Sequence, residues 1–468
     1  IIKTIDPNGN IEEIEYDIKN RPIKIKDKEG NIRRIFYTPT DKVKKEILPK
    51  QYNKETDDGE GTEYIYDLND NLVKIINSLG EIEEEKIYNE DGELIGIKDG
   101  RGNKTEYTLD IGGRVIAITT EESRRKNKKS QINKYNADDK IIETIDGEGN
   151  KTSYLLDDWG RIIKITKADG STENYKYDYA GNIRETIDGN GNKIKYQYNS
   201  INKLGKIIDQ DNLEEILKYD RQGRLVYKKD RNGNEIIYNY NIDDQLVSRR
   251  NAKEEDSYKE IYEYNIDGTL KRASANGIDY TYKYDKQGRV TEKYASGKLL
   301  IKYTYDKNGN LIKQRDISGK ETRYTLDSLG RIKEVIDDNK IVATYSYNSD
   351  GTIKSITYGN GIKTNYEYDG NKNITKLTTI LSNGEILTQN TYTYDNNGNQ
   401  IRKTENGKVT QYQYDAINQI EKVIYNKGEE EKIETFSYDP AGNRIKRVLD
   451  NIDEFYYYDN KNRLTKLQ

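Results

Sequence analysis

Cysteine, histidine and methionine are missing from all 468 residues, and the chain has one tryptophan, three phenylalanines and five prolines. Without cysteine there are no disulfides, no thiolate nucleophile and no thiolate metal site, and the redox compartment leaves no trace. Without histidine the commonest general base and the commonest metal ligand are gone. No apolar run reaches the roughly 18 residues of a membrane-spanning helix. An excess of one charge sign is missing too. With 78 basic and 82 acidic residues the net charge is -4, which gives no bulk pull toward nucleic acid or an anionic membrane. The chain opens on Ile1 and reads as a piece of a longer protein. A signal peptide can have been lost with the rest, so its absence decides nothing.

Apolar residues are also scarce. Only 33% of residues are hydrophobic and 34% are charged, with a mean hydropathy of -1.06, values that approach those of disordered chains. Two features point to order instead. Tyrosine contributes 42 residues, and the polarity is periodic.

The period is clearest from Tyr154 to Asn241. Tyr175-Lys-Tyr-Asp-Tyr-Ala-Gly-Asn182 and Leu217-Lys-Tyr-Asp-Arg-Gln-Gly-Arg224 are two of five successive copies. The residue after the second aromatic falls at Asp157, Asp178, Asn199, Asp220 and Asn241, in steps of 21. A fixed step of this size identifies a repeat architecture before any one residue is interpreted. About 21 copies fill residues 1–468 as a single array, with irregular loops expected near 40–61, 121–131, 250–258, 380–390 and 426–432.

Each copy divides into halves of ten and eleven residues, with a turn in each. Asp188-Gly-Asn-Gly-Asn192 and Asp306-Lys-Asn-Gly-Asn310 place Asp first and Gly fourth. The carboxylate caps backbone N–H groups, and the glycine takes positive φ without steric penalty. Between turns, Ile194, Tyr196 and Tyr198 alternate with Lys193, Lys195 and Gln197, the period of a strand. In the other strand Ile332 and Val335 break the alternation, which implies a bulge or two half-buried faces. Turn signals every ten residues exclude helix almost everywhere.

The fold class that follows is all-β. Hairpins in series form one long antiparallel sheet, and twist coils a sheet of about 42 strands into a hollow spiral shell or tube that can meet its own earlier windings. Tyrosines in equivalent positions stand as ladders with their hydroxyls bonded or wet, so the wall needs little aliphatic core. The alternative is a compact, filled β-solenoid, which calls for more Val, Ile and Leu than the chain has.

The motif Tyr-x-Tyr-Asp-x-x-Gly-Arg/Asn-Leu/Ile, recurring near every 21 residues over nearly the whole chain, resembles the YD repeat of the Rhs family. That family includes wall-associated repeat proteins, the B and C components of Tc toxins, and teneurins. The resemblance assigns the repeat roles here to Tyr175, Tyr177, Asp178, Gly181, Tyr196, Tyr198, Asp220, Gly223, Tyr303, Tyr305, Asp306, Gly309, Tyr392, Tyr394, Asp395 and Gly398. It implies a cocoon that encloses or displays a toxin or partner domain and sits outside a bacterial cell. Family members typically continue into an Asp-Pro-rich self-cleaving core and a toxin. Here Tyr456-Tyr-Tyr-Asp-Asn-Lys-Asn-Arg-Leu464 is still an ordinary repeat, and plug, core and toxin are expected to be absent. Asp439-Pro-Ala-Gly442 sits at a repeat position and reads as a turn.

No enzymatic site, cofactor or metal is expected, because catalysis needs a particular pKa-shifted pair and not twenty equivalent carboxylates. The turns Asp306 to Asn310 and Asp395 to Asn399 partly resemble calcium loops but lack the sixth-position Gly and twelfth-position acid. The basic run Arg124 to Lys129 reads as a solvated loop tip or a polyanion contact, and Glu83 to Glu85 and Glu429 to Glu431 as charge that protects sheet edges. The expected partners are flanking domains or an enclosed polypeptide. Carbohydrate or cell-wall polymer, and self-association through edge strands into a fibre, are the rival readings.

Overall fold

The computed structural model describes residues 2–253, 259–427 and 430–468. Among them, 43 strands form one sheet in which each strand pairs antiparallel with the strands before and after it. Strand Lys3–Ile5 forms one edge and Leu464–Leu467 the other. The sheet is a meander that never closes on itself. Part of the expected loop at 250–258, and Gly428 and Glu429 of the expected loop at 426–432, lie outside the described residues.

The repeat unit shows why this sequence makes strands. In Thr172–Tyr177, Tyr175 and Tyr177 lie half-buried on one face while Lys176 is exposed on the other. The next strand, Ile183–Ile187, pairs Ile183 with Tyr177 and Glu185 with Lys176, so Arg184 is left as the extra residue of a bulge. The same shift recurs at Tyr198/Leu204, Tyr219/Leu225 and Leu326/Ile332. It accounts for the broken alternation of Ile332 and Val335. The bulge absorbs one residue, and both side chains pair on the tyrosine face with Leu326 and Tyr324.

Contacts 249 residues apart show how the sheet is wound. Gly147 meets Asn396, Asn190 meets Asp439, and Gly100 meets Ser349. The second of these pairs gives the size of a winding. The turn between Ile183–Ile187 and Lys193–Tyr198 rests on the turn between Glu430–Tyr438 and Arg444–Leu449, 23 strands later. At ~4.8 Å per strand, one winding is about 110 Å around and about 35 Å across.

The wall is one layer thick. Only Ile35, Ile47, Ala117, Ala343, Ile356 and Val423 are buried hydrophobics among the described residues. The accessible surface is 27799 Å², against about 18,000 Å² for a compact monomer of 54.4 kDa. A filled solenoid would not expose half as much surface again. The filled alternative is thereby excluded.

The inserted residues do more than form loops. Residues 40–61 supply the strand Val43–Ile47 and a small separate hairpin, Tyr52–Asn53 with Asp58–Gly59. That hairpin folds back on the face opposite the tyrosines. Asp57 binds Lys24 at 3.0 Å and accepts from Tyr52 Oη at 2.7 Å, Asp58 binds Lys45 at 2.9 Å, and Ile47 is fully buried. Within 380–390 and 426–432 the extra residues lengthen strands, giving Ile386–Tyr394 and Ile420–Lys427. Residues 121–131 hold the one helix among the described residues, Glu121–Arg125, capped by Thr120. Glu83 to Glu85 lie in Ile82–Tyr88, which is paired on both sides, so they protect no edge. Glu431 likewise lies in a strand paired on both sides.

Candidate functional site

The site is the seam where the second winding rests on the first, and its parts are the two classes of turn. The turn after the Tyr-x-Tyr strand is built alike wherever Asp leads it. Asp178 Oδ1 accepts from the N–H of Ala180 and Asn182, both at 2.9 Å, and Oδ2 accepts from Asn182 Nδ2 at 3.0 Å. Gly181 holds φ at +89°. Asp220, Asp306 and Asp395 repeat the pattern with Arg224, Asn310 and Asn399, and Gly223, Gly309 and Gly398 hold φ between +81° and +90°. Each carboxylate is therefore bonded by its own turn. The calcium-like spacing belongs to turn closure, and the described residues contain no cluster of three or more acidic ligands that could hold a metal.

The second tyrosine of each motif ties its copy to the one before. Tyr177 Oη donates to Ile162 O at 2.8 Å, Tyr198 to Ile183 O at 3.0 Å, Tyr305 to Val290 O at 2.8 Å and Tyr394 to Ile374 O at 2.7 Å. Where the turn ends in arginine, its guanidinium stacks on the next copy's tyrosine, as Arg289 does over Tyr305 at 4.8 Å. The first tyrosine is less constrained. Tyr175 donates to Glu173 at 2.8 Å, and burial together with that carboxylate pushes its hydroxyl up to about 12. Tyr392 reaches Glu405 at 3.4 Å, while Tyr196 and Tyr303 stand opposite Ile207 and Gln314 in the ladder.

Successive turns lie on opposite edges of the sheet, and the seam joins unlike edges. The other class of turn in the first winding, between residues 6 and 211, docks on Tyr-x-Tyr-Asp turns of the second winding. Asn396 N donates to Glu148 at 2.8 Å, its Nδ2 to Gly147 O at 3.1 Å, and Asn397 Nδ2 to Asp146 at 2.7 Å. Asp306 and Asp395, with Gly309 and Gly398, thus belong to seam turns. Asp178, Gly181, Asp220 and Gly223 lie on a free rim. No strand ladder crosses the seam among the described residues; the windings meet only through turns. The expected meeting of windings occurs, but by turn tips and not by strand pairing.

Close approach is set by glycines that need room and not unusual φ. A Cβ on Gly147 would lie 2.7 Å from Asn396 Cβ, and one on Gly100 or Gly189 would collide with Ser349 O or Pro440 O. Asp439-Pro-Ala-Gly442 is therefore a turn, as expected, and also a seam contact. Charged groups are buried here. Arg101 Nε pairs with Asp350 at 2.5 Å, and Lys461 Nζ with Asp209 at 2.7 Å, the two carboxylates having no exposed side-chain surface. Burial alone would raise the Asp209 carboxyl; the hydrogen bonds from Lys461 and from the N–H of Leu213 and Asp211 outweigh it and hold it below the usual range. Asp350 is held low in the same way by Thr352 and Arg101.

The basic run also sits at the seam. Lys126 Nζ donates to Tyr394 O at 3.1 Å, and Glu122 in the same helix accepts from Gly370 N at 2.8 Å. Arg124, Arg125 and Lys128 pair with Glu121, Glu122 and Glu148. Its side chains are exposed, but it is not a free loop tip.

Sequence reasoning expected the windings to meet but did not locate the seam or its turns, although a signal for them exists. Glycine follows the turn aspartate at Gly100, Gly147 and Gly189 in the first half of the chain, facing the second winding, and at Gly370 in the second half, facing Glu121.

A single antiparallel sheet wound on itself through Tyr-Asp turns defines a structural shell. The chain belongs to the teneurin YD-shell family, whose model matches residues 85–245, 231–361 and 293–379, and an RHS repeat matches residues 394–430. No curated protein matches it. Its fold is shared by solved structures, among them these two. One is TcdB2-TccC3-Cdc42, with 14% identity, a TM-score of 0.55, and coverage of 99% of this chain and 35% of that one. The other is TcdB2-TccC3, at 16% identity and 0.55, covering 99% and 33%. The chain thus spans about a third of the length of the structures it matches. No helix of the described residues is long and apolar enough to cross a membrane.

Proposed function

We propose that the chain is a non-catalytic wall that encloses or displays a polypeptide, either another part of its parent protein or a partner, in a secreted or cell-surface bacterial protein. The observation that supports this most is the winding. A one-layer sheet with 23 strands per winding surrounds a space about 35 Å across, more than its own side chains fill. The repeats act as one uninterrupted unit in this reading. Carbohydrate adhesion has no observation of its own, and fibre growth has only the bare edge strands at each end.

The experiment is protease protection of the natural parent protein. A segment flanking or bound to the shell should survive digestion while the seam is intact and be cut once the seam is opened by Gly189→Ala with Gly147→Ala. Equal digestion in both states would sink the enclosure reading. Electron microscopy of residues 1–468 alone should show separate hollow particles; open-ended filaments would favour the fibre instead.

A further inference from the structure

The seam is fastened in part by asparagine side chains whose next residue is glycine. Asn8 Nδ2 donates to Asp267 Oδ2 at 2.5 Å, Asn190 Nδ2 to Asp439 Oδ2 at 2.9 Å and Asn397 Nδ2 to Asp146 Oδ2 at 2.7 Å. Each bond joins a turn of one winding to a carboxylate of the other. Gly9, Gly191 and Gly398 follow these asparagines, with φ between +81° and +86°. Asparagine is a thermally labile residue, and glycine after it places no side chain in the way of its own nitrogen. That nitrogen attacks Asn Cγ and forms a new C–N bond. The Cγ–Nδ2 bond breaks, and ammonia leaves with the glycine's amide proton. Water then opens the resulting succinimide at either carbonyl, giving aspartate or isoaspartate.

The chain supplies its own comparison. Asp188-Gly-Asn-Gly-Asn192 is docked in the seam, and Asp230-Arg-Asn-Gly-Asn234 is a turn of the same class two copies later. In both, the middle asparagine N–H donates to the leading carboxylate, at 3.0 Å from Asn190 and 2.9 Å from Asn232. In both, the glycine N–H donates to the leading Asp carbonyl at 3.0 Å, with φ +85° at Gly191 and +86° at Gly233. The difference lies in the side-chain amide. That of Asn190 is bonded across the seam, and that of Asn232 makes no hydrogen bond among the described residues.

We propose that Asn8, Asn190 and Asn397 are deamidation sites that the closed seam protects and that hold the seam open once it has parted, whatever the shell encloses. Ring closure swings Asn Cγ onto the glycine nitrogen, so the bond to the opposing carboxylate must break first. Giving up a hydrogen bond to a charged group slows that step on the order of ten- to a hundredfold. Once ammonia is lost, the donor has become a carboxylate that faces a carboxylate. Two such groups at hydrogen-bond distance cannot both stay ionised, and at neutral pH the turns separate instead. Isoaspartate also adds a methylene to the turn backbone, which moves the tip off its partner. Nothing in the chain restores the amide, so the opening runs one way. Asn308-Gly309 is the contrasting case in the same seam. Asn308 faces the Gln51 amide at 3.1 Å and accepts from the Lys50 N–H at 2.8 Å, so a carboxylate there meets no opposing charge.

Peptide mass spectrometry of residues 1–468 held in mildly alkaline buffer tests the protection. Amide loss at Asn232 should outrun that at Asn190 by on the order of tenfold or more. Gly147→Ala parts the windings at Asn396 without altering the sequence around Asn397. Asn397 should then lose its amide faster by a similar factor, while Asn232 keeps its rate. Equal rates at Asn190 and Asn232 in the wild type, or an Asn397 rate unmoved by Gly147→Ala, would overturn the proposal. Hydrogen exchange tests the one-way opening. Asn190→Asp should raise exchange at 439–443 and Asn397→Asp at 146–150, with circular dichroism unchanged, whereas Asn232→Asp and Asn308→Asp leave both segments protected. Full protection of 439–443 in Asn190→Asp, or equal loss of it in Asn232→Asp, would overturn the proposal too.

Discussion

At the scale of the residue, tyrosine does two jobs that its recurrence alone does not separate. The second tyrosine of the motif is a cross-copy tie. Its ring covers the wall face, and its hydroxyl satisfies a carbonyl of the preceding copy, at Tyr177, Tyr198 and Tyr219 alike. The first tyrosine contributes mainly ring area, and the Tyr196 hydroxyl makes no hydrogen bond among the described residues. Replacing Tyr177, Tyr198 and Tyr219 together by phenylalanine removes three such bonds and leaves three carbonyls short of a partner. Each loss should cost about 0.5–1.5 kcal/mol. Urea unfolding should show the midpoint falling for the triple variant, while Tyr196→Phe leaves it in place. Equal effects would mean that the hydroxyl tie contributes nothing. The aspartate and glycine roles were legible in the sequence because capping and positive φ are local matters, decided within five residues. The tie was not, since it depends on which backbone carbonyl lies beside the ring one copy earlier.

At the scale of the element, strands and turns of each copy followed from the sequence, and so did the bulge, because turn chemistry and alternation are short-range signals. Insertions were harder to place. Residues 380–390 read as loop because the spacing slips there, yet extra residues can as readily lengthen both strands of a hairpin, as Ile374–Ile380 and Ile386–Tyr394 do. In the second winding the far-edge turns are often two residues long, with both at positive φ, as at Asn276-Gly277 and Asn406-Gly407. Among the described residues these tight turns occur only where nothing docks on them. Five-residue turns form most of the first-winding side of the seam, some with a second glycine, and in such a turn the two glycines have separate roles. Gly191 has φ +85° with open space around it, whereas Gly189 faces Pro440. Gly191→Ala should weaken the hairpin by roughly 1 kcal/mol with the seam intact. Gly189→Ala should cost about 1–3 kcal/mol through overpacking and force the windings apart at Pro440. Hydrogen exchange distinguishes them: Gly189→Ala should raise exchange at both 188–192 and 439–443, and Gly191→Ala at the first segment alone. Matching patterns in the two variants would remove the seam from the explanation.

At the scale of the molecule, the windings are joined by polar turn contacts, so the shell should respond to pH at its seam before its sheet. The signs follow from the shifted groups. Asp209 and Asp350 lie below the ordinary carboxylate value, and Asp459, held chiefly by Arg463, falls from 3.8 to about 2. A lowered carboxylate stabilises the folded form above its ordinary value, and that contribution is lost as pH falls through the folded value. Lys461 is raised above 10.5, first by its hydrogen bonds to Asp209 and Asp211, so its contribution holds below that value and is lost above it. With no histidine to titrate between these limits, stability should be level from about pH 5 to pH 9. Below pH 4, protonating the fully covered Asp209 and Asp350 leaves Lys461 and Arg101 without their counter-charges. Within a winding the turn carboxylates such as Asp110 and Asp178 are lowered too, chiefly by the side-chain hydrogen bonds of their own turns. They are not fully covered, and the strands themselves are held by uncharged backbone ladders. Small-angle scattering should therefore record expansion below pH 4 while far-ultraviolet dichroism still reports an intact sheet, and Asp209→Asn should expand at higher pH than the parent. Expansion beginning near pH 6, or dichroism lost before the radius grows, would place the weak point somewhere other than the seam.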